Sequence, residues 1–465
     1  MKRRNRLLSL LLLLATLLSL TLPCAGVDLS EVSEIVSRKT VDAKAALLVN
    51  STENVIYYEQ NARERVYPAS ITKVMTALLT VEAIDRGDLT LDQVITAGDQ
   101  TWLDIPADGS TANIQVGEEL TVEQLLYCLM LPSANEAANI LAQAISGQVS
   151  SFVALMNLRA EQLGCTDTHF MNPHGIHHTN HYTTCYDLYL IARKALENAT
   201  FRQIVSTDEI TIPPTNMTAK ERVYYNTNAL LTHKKYPGYE FPDCIGIKTG
   251  STDAAGYCLL SAARRDGNTL ISVVMGAETV VDTDGTHRKQ FSESASLLQW
   301  GFDNFSYHSI LDNRDPVAEV PVTLSSQTDG VLVAPAESIS ALLPDDVSGD
   351  AFTRDVEVVE SVAAPVETGQ ELGTMTLYLQ GKKYGTVPLV ALNDVKASQL
   401  LTRKHEIEQV ISSPWFRGLL LLAAAVMAVI ILKNTVFYQS SRVRAAKRNA
   451  RKVNAAQPKS YKGKR

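Results

Sequence analysis

The chain has 465 residues, of which 45% are hydrophobic and 20% charged, with a formal net charge of −7. That is an ordinary globular balance, with room for two or three domains and terminal segments. The basic residues are concentrated at the C-terminal end, so the main body is more acidic than the total, which argues against nucleic-acid binding by that body.

Met1 to Arg6 is basic, Leu7 to Leu22 is leucine-rich, and Pro23-Cys24-Ala25-Gly26 supplies small residues for cleavage. Residues 1–26 read as a secretory signal peptide, with an uncleaved anchor as the alternative. Its removal takes Cys24 and leaves Cys128, Cys165, Cys185, Cys244 and Cys258. No two of these have Cys-x-x-Cys spacing, so zinc is not expected and buried free thiols are.

Ala45 to Val49, a polar turn through Asn54, and Val55 to Glu59 predict a β-hairpin. Tyr67-Pro68-Ala69-Ser70-Ile71-Thr72-Lys73 then turns into a helix that is apolar nearly all round, through Leu79 and Val81. Pro68 suits its start, and the lack of a polar face predicts a central, buried helix. Ser70 and Lys73 fall three apart at its N-terminus, on one face. A buried lysine loses its charge readily and acts as a base. A serine beside such a base is an activated nucleophile. For Ser-x-x-Lys alone, a capping serine with a solvated lysine is the simpler reading.

Leu120 to Ala144 predicts two helices broken at Leu131-Pro132-Ser133, the second opening at Ser133-Ala134-Asn135. Ser151 to Leu163 predicts an amphipathic helix, Asn172-Pro173-His174-Gly175 a turn, and Tyr186 to Leu196 a further helix. His174, His177, His178 and His181 are spaced too irregularly to suggest a metal. Ile245 to Gly250, Gly256 to Ala263 and Thr269 to Gly276 predict strands, with Asp266-Gly267 as a hairpin turn. His287 to Phe302 predicts a closing helix. Residues 27–308 therefore read as an α+β domain, an antiparallel sheet with a helical block inserted.

Residues 313–395 hold short strands split by Gly, Pro and Asp turns, a small all-β domain. Residues 396–414 read as a helical linker, and 415–438 as a transmembrane helix. Its apolar run to Leu432 is a little short of the ~20 residues that span a bilayer. Trp415, Phe416 and Tyr438 suit the interfaces. The tail 439–465 has many Lys and Arg and no acidic residue. The positive-inside rule makes that tail cytoplasmic and the main body extracytoplasmic.

Three motifs line up in order: Ser70-Ile71-Thr72-Lys73, Ser133-Ala134-Asn135 and Lys248-Thr249-Gly250. Each is weak singly, but the ordered set in a secreted chain resembles penicillin-binding proteins and serine β-lactamases. Phe170-Met171-Asn172-Pro173-His174-Gly175, Gly246-Ile247, Ala364-Pro365-Val366, Gly369-Gln370 and Leu372-Gly373 extend it. With these, the whole chain resembles the low-molecular-mass penicillin-binding proteins, serine-type D-alanyl-D-alanine carboxypeptidases, from signal peptide to C-terminal anchor. The resemblance implies a β-lactamase/transpeptidase-like fold without metal or cofactor, acting on peptidoglycan stem peptides and inhibited by β-lactams. It implies Ser70 as nucleophile, Lys73 as proton acceptor and Ser133 as proton relay to the leaving amine. Asn135 would hold the substrate amide. Lys248 and Thr249 would offer a cation and a hydroxyl to the terminal carboxylate. Gly250 would let substrate lie along the strand edge, and the Ser70 and Ser251 N–H groups would form the oxyanion hole.

Near Asp187 the family pattern has Ser-Thr-Ala where this chain has Thr183-Thr184-Cys185, which touches only local packing. A class A β-lactamase needs a deacylating Glu, and none lies between Cys165 and His174; its usual Asp in the second motif is Ala134 here. A β-lactam sensor would need a cytoplasmic effector domain, for which the tail is too short. A DD-endopeptidase uses the same residues and stays open.

Overall fold

The computed structural model describes residues 29–282 and 285–454. The expected signal peptide and the end of the basic tail lie outside the described residues. The contacts divide the chain into two compact units. The first runs to Asp312 and includes Ser338–Asp355 and Thr376–Thr386; the second holds Asn313–Glu337, Val356–Met375 and the chain from Val387 onward.

The first unit is built on a five-stranded antiparallel sheet. Strands β1 (Ala45–Asn50) and β2 (Val55–Gln60) form the expected hairpin. β1 is buried at every position, as suits a strand covered on both faces. Much later in the chain come β3 (Cys244–Thr252), β4 (Gly256–Arg265) and β5 (Asn268–Ala277). The order across the sheet is β2-β1-β5-β4-β3, which leaves β3 as an edge.

Between the hairpin and β3 lies the helical block. Helix α1 (Lys73–Asp85) is its centre, buried on nearly every face. Val74, Met75 and Leu78 are each about fully buried and contribute roughly 1.5–3 kcal/mol apiece. Lys73, Thr76 and Thr80 of α1 are buried too, and they are partnered: Thr76 Oγ1, for one, donates to the Pro173 carbonyl at 2.6 Å. Helix α2 (Val122–Met130) opens with a capping box made by Thr121 and Gln124. Helices α3 (Asn135–Ser146), α4 (Val149–Gln162) and α5 (Cys185–Glu197) follow. Thr184 caps α5 by accepting from the Asp187 N–H at 3.0 Å. The helix Lys289–Asp303 closes the sheet's other face.

Two local outcomes differ from the expectation. Ser70 is not in an α-helix but in a 3₁₀ turn, Ala69–Thr72, with α1 beginning at Lys73. In a 3₁₀ turn residues three apart eclipse each other, which stacks Ser70 over Lys73. Ser133 does not open α3; it sits two residues before it at φ +66°. The five described cysteines are buried free thiols.

Within the first unit Phe305–Leu311 pairs with Ile339–Pro344. In the second unit Ala318–Thr323 pairs antiparallel with Gly330–Pro335 and parallel with Val362–Ala363. Gly330–Pro335 also pairs with the end of Lys382–Ala391. Beyond these strands lie a helix, Gln399–Ser412, and a 41-residue helix, Pro414–Asn454. The long helix is apolar enough over one stretch to cross a membrane, and its side chains there are exposed. It continues well past Tyr438, through residues expected to form a separate tail.

Candidate active site

Lys73 is fully buried, 0% exposed. Its Nζ has three oxygen neighbours: Asn135 Oδ1 at 2.6 Å, the His174 carbonyl at 2.7 Å and Ser70 Oγ at 3.0 Å. Burial, and then the charge of Lys248, hold this amine well below the ordinary lysine value of 10.5, against an opposing pull from Glu136. A neutral amine has two N–H bonds and one lone pair. The two shorter contacts are to oxygens that can only accept, so they take both N–H bonds. In that neutral form the lone pair faces the Ser70 hydroxyl, 3.0 Å away, and can accept its proton.

Each partner is held by its own support. Asn135 heads α3, and its backbone N–H donates to the Ser110 carbonyl at 2.9 Å. One turn on, Asn139 Nδ2 donates to the Leu103 carbonyl, while Glu136 Oε1 accepts from the Ala112 N–H. The loop before α2 is thereby tied to the start of α3.

The His174 carbonyl belongs to the Asn172–Gly175 turn. Asn172 Oδ1 accepts from the Gly175 N–H at 2.6 Å, and its Nδ2 donates to the Ile176 carbonyl. Gly175 has φ +90°, and a Cβ there would fall 1.9 Å from the Ala69 carbonyl oxygen. That same oxygen accepts from Thr72 Oγ1 at 2.8 Å. Thr72 Oγ1 in turn accepts from His181 Nε2 at 2.9 Å, while His181 Nδ1 accepts from the Met171 N–H. The turn therefore clamps the peptide just before Ser70. Burial pushes His174 and His181 each down to about 3, so both rings are neutral. Among the described residues no three of His, Cys, Asp and Glu gather as a metal cage.

The third motif lies on edge strand β3, against the Ser70 turn. A Cβ at Gly250 would come within 3.0 Å of the Pro68 carbonyl and 3.2 Å of the Ile71 nitrogen. The glycine thus has a packing reason of its own, apart from any room it leaves for substrate. Thr249 Oγ1 lies 2.6 Å from Thr227 Oγ1. Lys248 is buried, and its Nζ donates to the Thr249 carbonyl at 3.2 Å. Burial and the charge of Lys235 push it down to about 7.

Two hollows meet at Ser70. The larger, about 660 Å³, is bordered by Asn135, Gly109, Ile176, Ser251 and Tyr257. The smaller, about 140 Å³, is bordered by Ser133, Thr249, Gly250 and Ser251. Ser133 Oγ is buried there without a hydrogen-bond partner.

A family model described as D-alanyl-D-alanine carboxypeptidase matches residues 32–279, more than half of the chain. The chain belongs to the D-alanyl-D-alanine carboxypeptidase family. A second model, the C-terminal domain of penicillin-binding protein 5, matches residues 305–397. The D-alanyl-D-alanine carboxypeptidase DacF of Bacillus subtilis is 30% identical over 361 residues, covering 78% of this chain and 88% of that one. DacC of Escherichia coli is 26% identical over 387 residues, covering 82% and 92%. The solved penicillin-binding protein 5 of Haemophilus influenzae superposes with a TM-score of 0.56 at 28% identity, covering 78% of this chain and 99% of that one. This carboxypeptidase is thus a low-molecular-mass penicillin-binding protein with a transpeptidase-like domain, a β-rich C-terminal region and a long apolar helix.

The fold gathers Ser70, Lys73, Ser133, Asn135, Lys248, Thr249, Gly250 and Ser251 from three segments that are far apart in the chain. Sequence reasoning named each of these but missed the supports. The His174 carbonyl, the Thr72–His181 pair and the Gly175 contact had no signal beyond the Asn-Pro-His-Gly turn itself.

Proposed function

We propose that this carboxypeptidase removes the terminal D-alanine of peptidoglycan pentapeptide stems through an acyl-enzyme on Ser70. The observation that carries this is the buried Lys73 amine, whose Nζ lies within 3.0 Å of Ser70 Oγ, Asn135 Oδ1 and the His174 carbonyl. Ser70 Oγ attacks the carbonyl between the two D-alanines as its proton passes to Lys73 Nζ. The carbonyl oxygen takes up negative charge beside the N–H groups of Ser70 and Ser251. The C–N bond breaks, and the leaving amine receives a proton through Ser133 Oγ, the unpartnered hydroxyl of the smaller hollow. Water then attacks the ester, Lys73 takes its proton, and Ser70 is restored. Asn135 has its Oδ1 committed to Lys73, so its Nδ2, close to Gly109, is the group left for the substrate amide. Thr249 offers a hydroxyl to the terminal carboxylate, and Lys248 adds positive potential beneath it. A β-lactam mimics the same dipeptide and acylates the same serine. The test is labelled penicillin: peptide mapping should place one label, on Ser70, and a label elsewhere would remove the assignment.

The helix from Pro414 supports membrane anchoring. We infer that the catalytic domain faces outward and the Lys/Arg-rich end faces the cytoplasm. Deleting residues 415–465 is expected to release soluble enzyme with unchanged penicillin acylation, read by fractionation. Tight membrane association of that truncated chain would shift the anchor to Gln399–Ser412 as an interfacial helix.

A further inference from the structure

We propose that Lys235, carried on the loop between Thr232 and Phe241, is a specificity-determining residue that receives the substrate's terminal carboxylate. The inference rests on the reading above, in which the leaving residue occupies the smaller hollow beside Ser70.

The starting point is where the cations are. Lys248 is only 1% exposed and directs its amine at a backbone carbonyl. It does not border the smaller hollow. The two cations that do border it are Lys235 and Arg288. Both lie against one aromatic ring: the Arg288 guanidinium is 4.1 Å and the Lys235 amine 5.5 Å from the Tyr236 centroid. Among the described residues no ion pair takes in Lys235; its neighbours pair as Lys234–Glu209, Arg222–Glu118 and Lys289–Asp42. The charge of Lys235 is nonetheless felt inside the site, because it helps hold Lys248 down.

The loop that carries Lys235 is fastened. Tyr236 and Tyr239 both pack on the buried ring of Phe291, at 5.9 and 5.4 Å. The Tyr239 hydroxyl accepts from the Arg288 N–H at 2.9 Å. Two aromatic anchors just after an exposed lysine set its reach without burying its charge. The hollow it faces also holds Gln290, 95% buried, whose Oε1 has no hydrogen-bond partner, like Ser133 Oγ. Buried oxygens without a partner, beside a lysine that forms no ion pair among the described residues, fit a ligand carrying both an N–H group and a carboxylate. A C-terminal amino acid residue is such a ligand.

The test compares Lys235→Ala, Lys235→Glu and Lys235→Arg with the unmodified enzyme. Steady-state kinetics are measured on a pentapeptide ending in D-Ala-D-Ala with a free carboxylate. Acylation by a penicillin methyl ester, which lacks the carboxylate, reports Ser70 reactivity separately. For an exposed charge the expected rise in KM on the free acid is about fivefold for the alanine variant. It should be about tenfold or more for the charge reversal, with kcat little changed. Lys235→Arg should restore most of the loss, and ester acylation should be the same in all four proteins. The proposal is overturned if Lys235→Glu handles the free acid like the unmodified enzyme, or if ester and free acid suffer equally. Failure of the unmodified enzyme to release D-Ala would instead strike the underlying reading.

Discussion

Lys73→Met is expected to slow acylation of Ser70 by about a thousandfold, within the 10²–10⁴ range of a lost general base. The substitution keeps an unbranched chain of similar length in the core of α1 and removes the amine in contact with Ser70 Oγ. The fold should survive, although Asn135 Oδ1 and the His174 carbonyl each lose a donor. The pH dependence of stability supplies an independent readout. Lys73 has its native pKa lowered from 10.5. Between that lowered value and 10.5, the unfolded chain binds a proton that the native chain does not. Stability therefore rises with pH across this window, and the penalty for keeping the amine neutral fades toward alkaline pH. Lys73→Met removes the linkage. Its stability relative to the unmodified enzyme should be most favourable at lower pH and decline as pH approaches 10.5. Thermal melts across pH, with penicillin acylation alongside, read both effects. Normal acylation by Lys73→Met at neutral pH would take Lys73 out of the mechanism.

Gly175→Ala should cost roughly 2–5 kcal/mol of stability, combining left-handed backbone strain with an overlap that must be relieved. The overlap is the 1.9 Å approach of the new Cβ to the Ala69 carbonyl. Relief means moving the peptide that leads into Ser70, and displacements of about 1 Å at a reacting group cost on the order of 10² in rate. Gly164→Ala is the matched control. It has φ +83° but nothing within 4 Å of a Cβ. Strain alone should cost it about 1–2 kcal/mol and leave acylation intact. Equal behaviour of the two variants in melting and acylation would refute the clamp.

The grouping of the candidate site side chains was legible because each chemistry-bearing residue sits in a short motif whose order survives folding. The sheet was legible as well, since β1, β4 and β5 are runs of apolar residues bounded by turns. What was hidden has physical reasons. The His174 oxygen that orients Lys73 is a backbone carbonyl, which every residue carries. Gly250 reads in sequence as an open strand edge, but its missing side chain also lets β3 close on Pro68 and Ile71. Ser133 reads as a cap, yet Ala134 precedes α3 while Ser133 keeps its hydroxyl free for the hollow. Phe305–Leu311 and Ile339–Pro344 carry weak strand signals, because Ser, His and Tyr interrupt the first and two adjacent leucines break the alternation of the second. The terminal helix runs to Asn454 because Ala, Arg and Lys propagate a helix well, whereas a hydropathy reading stops at Tyr438.

The central claim is hydrolysis of a D-Ala-D-Ala terminus by Ser70, and the most direct measurement is competition between two substrates. The purified ectodomain is given equal amounts of free pentapeptide and crosslinked peptide dimer, and products are followed by mass. The account predicts loss of one alanine from the pentapeptide, with free D-Ala released and the dimer consumed more slowly. A Ser70→Ala enzyme should release none. Dimer cleavage much faster than D-Ala release, or D-Ala release that persists without Ser70, would contradict it.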